Sequence, residues 1–231
     1  MAGNGPPSQP SPADGGRRKT PGTRDLYPPD FFRREDEYDD RHFYSQPRLV
    51  VHIDEPAIAA IGQYFATSLP QDAVLLDLMS SWRSHLPTGF PKRKLVGLGL
   101  NDVEMRENPQ LDEHVVHDLN ANPRLPLDDA TFDAAFVTVS IQYMTRPVEV
   151  FREVRRILKP GATFHVVFSH RMFPMKAIAI WQTLNMQQRA QLIGTYFQHS
   201  AGWTALEAVD ASPKTPDAVD PVVVVRAKRG G

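Results

Sequence analysis

The 231-residue sequence predicts an α/β fold: a doubly wound, mostly parallel seven-stranded sheet with an antiparallel edge pair. Three observations predict it. Short continuous apolar runs at 73–78, 94–100 and 132–140 have the character of strands buried on both faces of a sheet. Segments with helical spacing alternate with the strand candidates, which calls for crossover connections. The last two strand candidates, 205–211 and 221–228, are joined by a Pro-rich turn with no helix between them, so they must run antiparallel at one edge.

Along the chain, residues 1–24 are rich in Pro, Gly and Ser around a basic cluster at Arg17, Arg18 and Lys19, a composition that cannot offset the entropy of ordering. They are expected to form a disordered tail. Residues 25–53 are aromatic and charged without a clean period, which suggests an ordered arm laid over a domain, either a packing strap or a lid on a substrate pocket. In a lid, Tyr38, His42 and Tyr44 are the residues of interest. The domain proper spans 54–231. Asp54 is placed to cap a helix with Pro56 in its first turn, and Ile58, Ile61 and Phe65 share one face. Between the first two strands there is room for a helix, but Pro87, Gly89 and Pro91 make it short or irregular.

Residues 113–118 read as a third strand and 132–140 as a fourth. A helix at 147–158 follows, with Val150, Val154, Ile157 and Leu158 as its apolar stripe and Pro160-Gly161 ending it. Residues 163–169 make a fifth strand, and 174–197 a long helix broken near Asn185.

Composition narrows the function classes. Hydrophobic residues make up 41% of the chain, enough for one substantial core, and the formal net charge of -1 gives no global field that would draw it to nucleic acid or an anionic membrane. With no Cys there are no disulfides, thiolate metal sites or cysteine nucleophile, and the chain reads as cytoplasmic. The acid-poor tail leaves organelle targeting open, and no apolar stretch reaches the length of a membrane helix. His114 and His117, three apart on a strand, point to opposite faces, so no metal site is expected.

In open α/β sheets ligands bind beyond the carboxyl ends of the strands, where the strand order reverses. The strand ends offer Asp77 and the loop Met79, Ser80, Ser81, Trp82, Arg83, Ser84 and His85; then Gly99, Asn101 and Asp102; then Asp118, Leu119 and Asn120; then Ser140, Gln142 and Tyr143; and Ser169, His170 and Arg171.

The run Leu-Pro-Leu-Asp-Asp-Ala-Thr-Phe-Asp-Ala at 125–134, the helix that follows it and Leu-Lys-Pro-Gly at 158–161 resemble the class I S-adenosylmethionine-dependent methyltransferases, in particular their type 11 group, over about a hundred residues. The resemblance implies a Rossmann-like fold, S-adenosylmethionine as cofactor and a small-molecule acceptor. It implies that Asp77 helps to hold the methionine ammonium, that Met79, Ser80 and Ser81 border the methionine, that Gly99 and Asn101 lie at the ribose, that Asp118 and Leu119 border adenine, and that Ser140 completes the cofactor site. Gln142 and Arg171 are the candidate acceptor-binding residues.

The sequence departs from the family at two places. Met79, Ser81 and Arg83 stand at the usual glycine positions, where bare backbone meets the cofactor carboxylate. The serines and Arg83 can supply alternative donors. Gly99 stands where the family carries a ribose-binding carboxylate, with Asn101, Asp102 and Glu104 as substitutes in reach. Transfer from a sulfonium depends chiefly on alignment; if the acceptor must lose a proton, His170 or Tyr143 is the candidate catalytic residue. Two functions remain: a small-molecule methyltransferase, or an inactive methyltransferase-like binding or assembly module.

Overall fold

A computed structural model describes residues 20–231, so the part of the expected tail at 1–19 lies outside the described residues. The fold centres on one seven-stranded sheet in the order β3-β2-β1-β4-β5-β7-β6. Its strands are β1 (Val74–Leu78), β2 (Lys94–Gly99), β3 (Glu113–Val116), β4 (Phe132–Thr138), β5 (Leu158–Phe168), β6 (Trp203–Asp210) and β7 (Val223–Arg229). The first five are mutually parallel, and β7 pairs antiparallel with both β5 and β6. The order reverses between β1 and β4, which puts the switch point at their carboxyl ends.

Alternation along β1 shows why buried strands read as unbroken apolar runs. Leu75 joins one core cluster and Leu76 and Leu78 the other, so each successive side chain meets a different covering layer. One layer is α3 (Glu55–Ser68), whose Ala57, Ile61 and Phe65 are fully buried and whose N-terminus is capped by the Asp54 carboxylate accepting from Ala57 N–H at 2.8 Å. The other is α5 (Pro147–Ile157) with α7 (Met186–Ser200), where Phe151 packs edge-on against Phe164, Tyr196 and Phe197.

Several boundaries differ from those the sequence predicts. No helix forms at all between β1 and β2; Leu86 and Phe90 of this irregular loop pack on the α3 side of the sheet instead. A short helix, α4 (Asp102–Arg106), follows β2, with Asn101 as its cap. The helix expected at 174–197 starts late, as α6 (Ala179–Thr183), because the preceding backbone bonds elsewhere: Met175 C=O accepts from Asp36 N–H, and Ala179 N–H donates to Arg33 C=O. The break at Asn185 is a capping box, in which Asn185 and Gln188 exchange side-chain and backbone bonds. β5 begins at Leu158, directly after α5, with a register shift opposite Phe132/Ala134 and Gly161 at φ 81°, so the Pro-Gly turn lies inside the strand.

The N-terminal segment is α1 (Thr23–Leu26), a 3-10 turn (Pro29–Phe32), α2 (Asp40–Phe43) and an extended stretch to Ile53. The tail expectation for 20–24 needs correction at Thr23, which is buried. Its hydroxyl accepts from Val148 N–H at the start of α5 and donates to Glu149 at 2.6 Å, long-range bonds that fix a residue of tail-like composition.

Candidate active site

A cavity of about 300 Å³ lies at the carboxyl ends of β1, β2 and β4, at the size where ligand sites begin. Met79, Ser80 and Ser81 form its β1 wall; Gly99, Asn101 and Glu104 its β2 wall; Asp118, Leu119 and Asn120 its β3 wall. Ser140 and Tyr143 enter after β4, and Arg171, Met172 and Phe173 after β5. The arm roofs it with Asp40, Tyr44, Arg48 and His52. Of the sequence-predicted residues, the structure therefore brings together Met79, Ser80, Ser81, Gly99, Asn101, Asp118, Leu119, Ser140, Tyr143 and Arg171. Asp77, Gln142 and His170 do not line the cavity.

Asp77 is turned inward. Its Oδ2 accepts from Ser80 Oγ at 2.7 Å and Ser84 Oγ at 2.6 Å in a buried pocket, and burial pushes its pKa up to about 7 despite both bonds. Gln142 is buried and donates to Val139 C=O and Arg171 C=O, tying the loops after β4 and β5 together. His170 faces Asp220 at 3.1 Å, and Asp220 also takes Arg171 at 2.7 Å. That carboxylate has no side-chain exposure, so the pairing draws His170 away from the cavity.

The two departures from the family motif are one structural event. Ser80 N–H donates to Leu98 C=O at 2.9 Å, folding the loop after β1 across the end of β2, and a Cβ at position 99 would collide with the Ser80 carbonyl. The backbone thus occupies the space a ribose-binding carboxylate would need. Met79 keeps a left-handed conformation, φ 61°, at a position where the family has glycine, a costly geometry for a side-chain-bearing residue. Arg83 is exposed and lies over the Trp82 ring at 4.4 Å, so it does not reach the cavity. Trp82 in turn donates to Val50 C=O of the arm at 2.9 Å.

Near the ribose position the polar groups are shared with the scaffold. Asn101 caps α4 through Glu104 N–H and donates to Tyr44 C=O at 2.7 Å. Glu104 accepts from Arg48 N–H at 2.7 Å and Ser81 Oγ at 2.6 Å, which leaves lone pairs on both oxygens. Asp102 lies outside, held by His114 and Arg106. Asp118 caps a turn with Oδ1, which accepts from Asn120 and Ala121 N–H; its Oδ2 is not used in that cap. The adenine-edge and turn-cap roles of this residue are therefore compatible.

Tyr143 Oη accepts from Phe173 N–H at 2.8 Å, and burial raises its pKa above 10, so it is a donor at neutral pH rather than a base. Sequence reasoning missed His52, which lines the cavity and packs edge-on against Phe173 at 4.8 Å. Partial desolvation, opposed by Glu104 and reinforced by Arg48, lowers its pKa from the ordinary imidazole value. Nothing local marked it, because it enters from the arm rather than from a strand end. Of the arm residues singled out from the sequence, Tyr44 reaches the cavity; Tyr38 and His42 are exposed.

Residues 93–166 match the model of the methyltransferase domain family. The methyltransferase phqN of Penicillium fellutanum is 32% identical over 83 residues, 33% of this chain and 26% of that protein. Across the curated relatives the match covers between 13% and 26% of their length. Among solved structures, the [4+2]-cyclase SpnF superposes with a TM-score of 0.56 at 15% identity over 82% of this chain and 91% of that one. Phosphoethanolamine N-methyltransferase 2 of Haemonchus contortus, in complex with S-adenosylmethionine, gives 0.53 at 12% identity over 77% and 53%. The matched segment runs from β2 into β5 and includes the β2, β3 and β4 ends that wall the cavity, and the solved structures share the strand framework around it.

Proposed function

We propose that this chain is an S-adenosylmethionine-dependent methyltransferase acting on a small molecule. The observation that carries the reading is the switch-point cavity itself, open between the β2, β3 and β4 ends and lined there by family-like residues. At the adenine end the residues fit the cofactor: Asp118 Oδ2 is available to an exocyclic amine beside the buried Leu119, and Glu104 keeps acceptor capacity toward a ribose hydroxyl. At the methionine end the family's own device does not fit. Asp77 is buried beside the cavity rather than lining it, with Oδ2 taken by two serines, and no helix N-terminus follows β1 to receive a carboxylate.

When bound, the cofactor supplies an activated methyl on a sulfonium. The protein's part is to hold the acceptor in line and keep water away, which needs little acid–base chemistry. The cavity beneath the arm suits a small acceptor, with the Tyr143 hydroxyl as a fixed donor and His52 placed to take a proton if the acceptor must lose one. The cysteine-free composition suits work in the cytoplasm.

The loop folded over Gly99 favours a second reading, a methyltransferase-like module without catalysis. The two separate on one measurement. Calorimetric titration of the full chain with S-adenosylmethionine and S-adenosylhomocysteine should show saturable binding weakened by Asp118→Ala. Absence of heat and of any thermal shift at millimolar ligand would leave only the binding module.

A further inference from the structure

The arm carries a cation into the cavity. Arg48 is half-buried, its guanidinium lies over the Phe43 ring at 4.4 Å and near the Phe173 ring at 5.7 Å, and its Nη1 is buried with no hydrogen-bond partner among the described residues. The other charged groups around the cavity each have partners of their own. Asp40 is held by Arg34 and Lys176, Arg171 by Asp220, and the Glu104 oxygens accept from the Arg48 main chain and from Ser81. Arg48 makes no ion pair among the described residues.

A buried guanidinium nitrogen without an acceptor is costly to leave unmatched, and a planar fork stacked on aromatic faces is oriented in advance for a carboxylate. The cavity's methionine end lacks a carboxylate partner, since the β1 loop is folded onto Gly99 and Arg83 points to solvent. We propose that the Arg48 guanidinium binds the carboxylate of the cofactor's methionine moiety, taking over from the glycine-rich loop. The arm then completes the cofactor site rather than merely covering it.

This assignment rests on the cofactor reading above, and one set of titrations keeps the two apart. S-Adenosylhomocysteine and 5′-methylthioadenosine share the adenosine and the sulfur, and only the first carries the amino-acid carboxylate. The full chain should bind S-adenosylhomocysteine at least about tenfold more tightly. Arg48→Met, which keeps an apolar stem over Phe43, should lower that affinity roughly ten- to hundredfold and leave 5′-methylthioadenosine unchanged. Arg48→Lys should fall between, as it keeps charge and loses the fork. Equal weakening of both ligands would make Arg48 a roofing residue, and unchanged S-adenosylhomocysteine affinity would remove the carboxylate role; either overturns the assignment while leaving the cofactor reading in place. A wild-type chain that binds neither ligand overturns both. A thermal melt of each variant separates lost binding from lost fold.

Discussion

Asp77 faces two serine hydroxyls and no cation, so its burial dominates its chemistry. Its ordinary pKa of 3.8 is pushed up to about 7 in the folded protein. Between those values the unfolded chain has released the proton while the folded chain still holds it, so stability falls as pH rises from 4 through 7. The difference corresponds to a few kcal/mol, on the order of 1.4 kcal/mol per pH unit. Burial acts oppositely on His85 and His165, lowering their pKa values to about 4 and about 3, and their contribution is lost as pH falls below 6.5. Asp77→Asn removes only the carboxyl and keeps an acceptor for both serines. Melting curves from pH 4 to pH 8 should show the variant gaining on wild type as pH rises; a gap that stays constant would mean that Asp77 ionises normally. The sequence marked this residue as a strand-end acid but not its neighbours' use of it, because Ser84 reaches it from a loop with no regular spacing. Gly99 was legible as an anomaly for the same reason that it was unreadable as a cause: the atom that excludes a side chain there is the carbonyl of Ser80, on another element.

Among the elements, those set by local pattern were legible and those set by distant contacts were not. The Asp54 cap, the Val150, Val154 and Ile157 part of the α5 stripe and the break at Asn185 depend on neighbours within one turn and occur where spacing puts them, whereas Leu158, expected to end that stripe, opens β5. The N-terminus of α5 is different. Its own N-cap, Arg146, contributes no side-chain cap bond, and Thr23 serves instead from 125 residues away. Its hydroxyl satisfies Val148 N–H and holds Glu149, while Thr23 N–H donates to the same carboxylate at 3.1 Å. A substitution at Thr23 should therefore behave like loss of a helix cap. Thr23→Val keeps the shape and removes the hydroxyl, and should cost about 1–2 kcal/mol, or roughly 2–8 °C in melting temperature. A melt within about 1 °C of wild type would show that α1 contributes nothing to α5.

At the scale of the molecule, the open question is whether the arm is a strap or a lid, and the charges beneath it favour the strap. Lys176 has a fully buried side chain whose ammonium pairs with Asp36 and Asp40 at 3.1 Å each and donates to Tyr38 C=O. Asp40 is nearly as buried and accepts from Arg34 Nη1, which bridges both its oxygens at 2.8 Å, and from Asn120 at 2.8 Å. Tyr27 and Phe32 add ring contacts to Tyr196 of α7. A lid must open at modest cost, whereas a chain beginning at Leu49 would leave Lys176 without either carboxylate. Stripping one side of a buried ion pair costs about 3–5 kcal/mol, and losing the Thr23 cap about 1–2 more, against a total stability of about 5–15 kcal/mol for a typical domain. The truncated chain should accordingly melt far below the full chain or fail to stay folded. Adding Lys176→Met to the truncation should restore part of the loss, because a methionine needs no counter-ion. If the truncated chain instead keeps the wild-type melting temperature and loses only ligand binding, the arm opens independently of the sheet and is a lid.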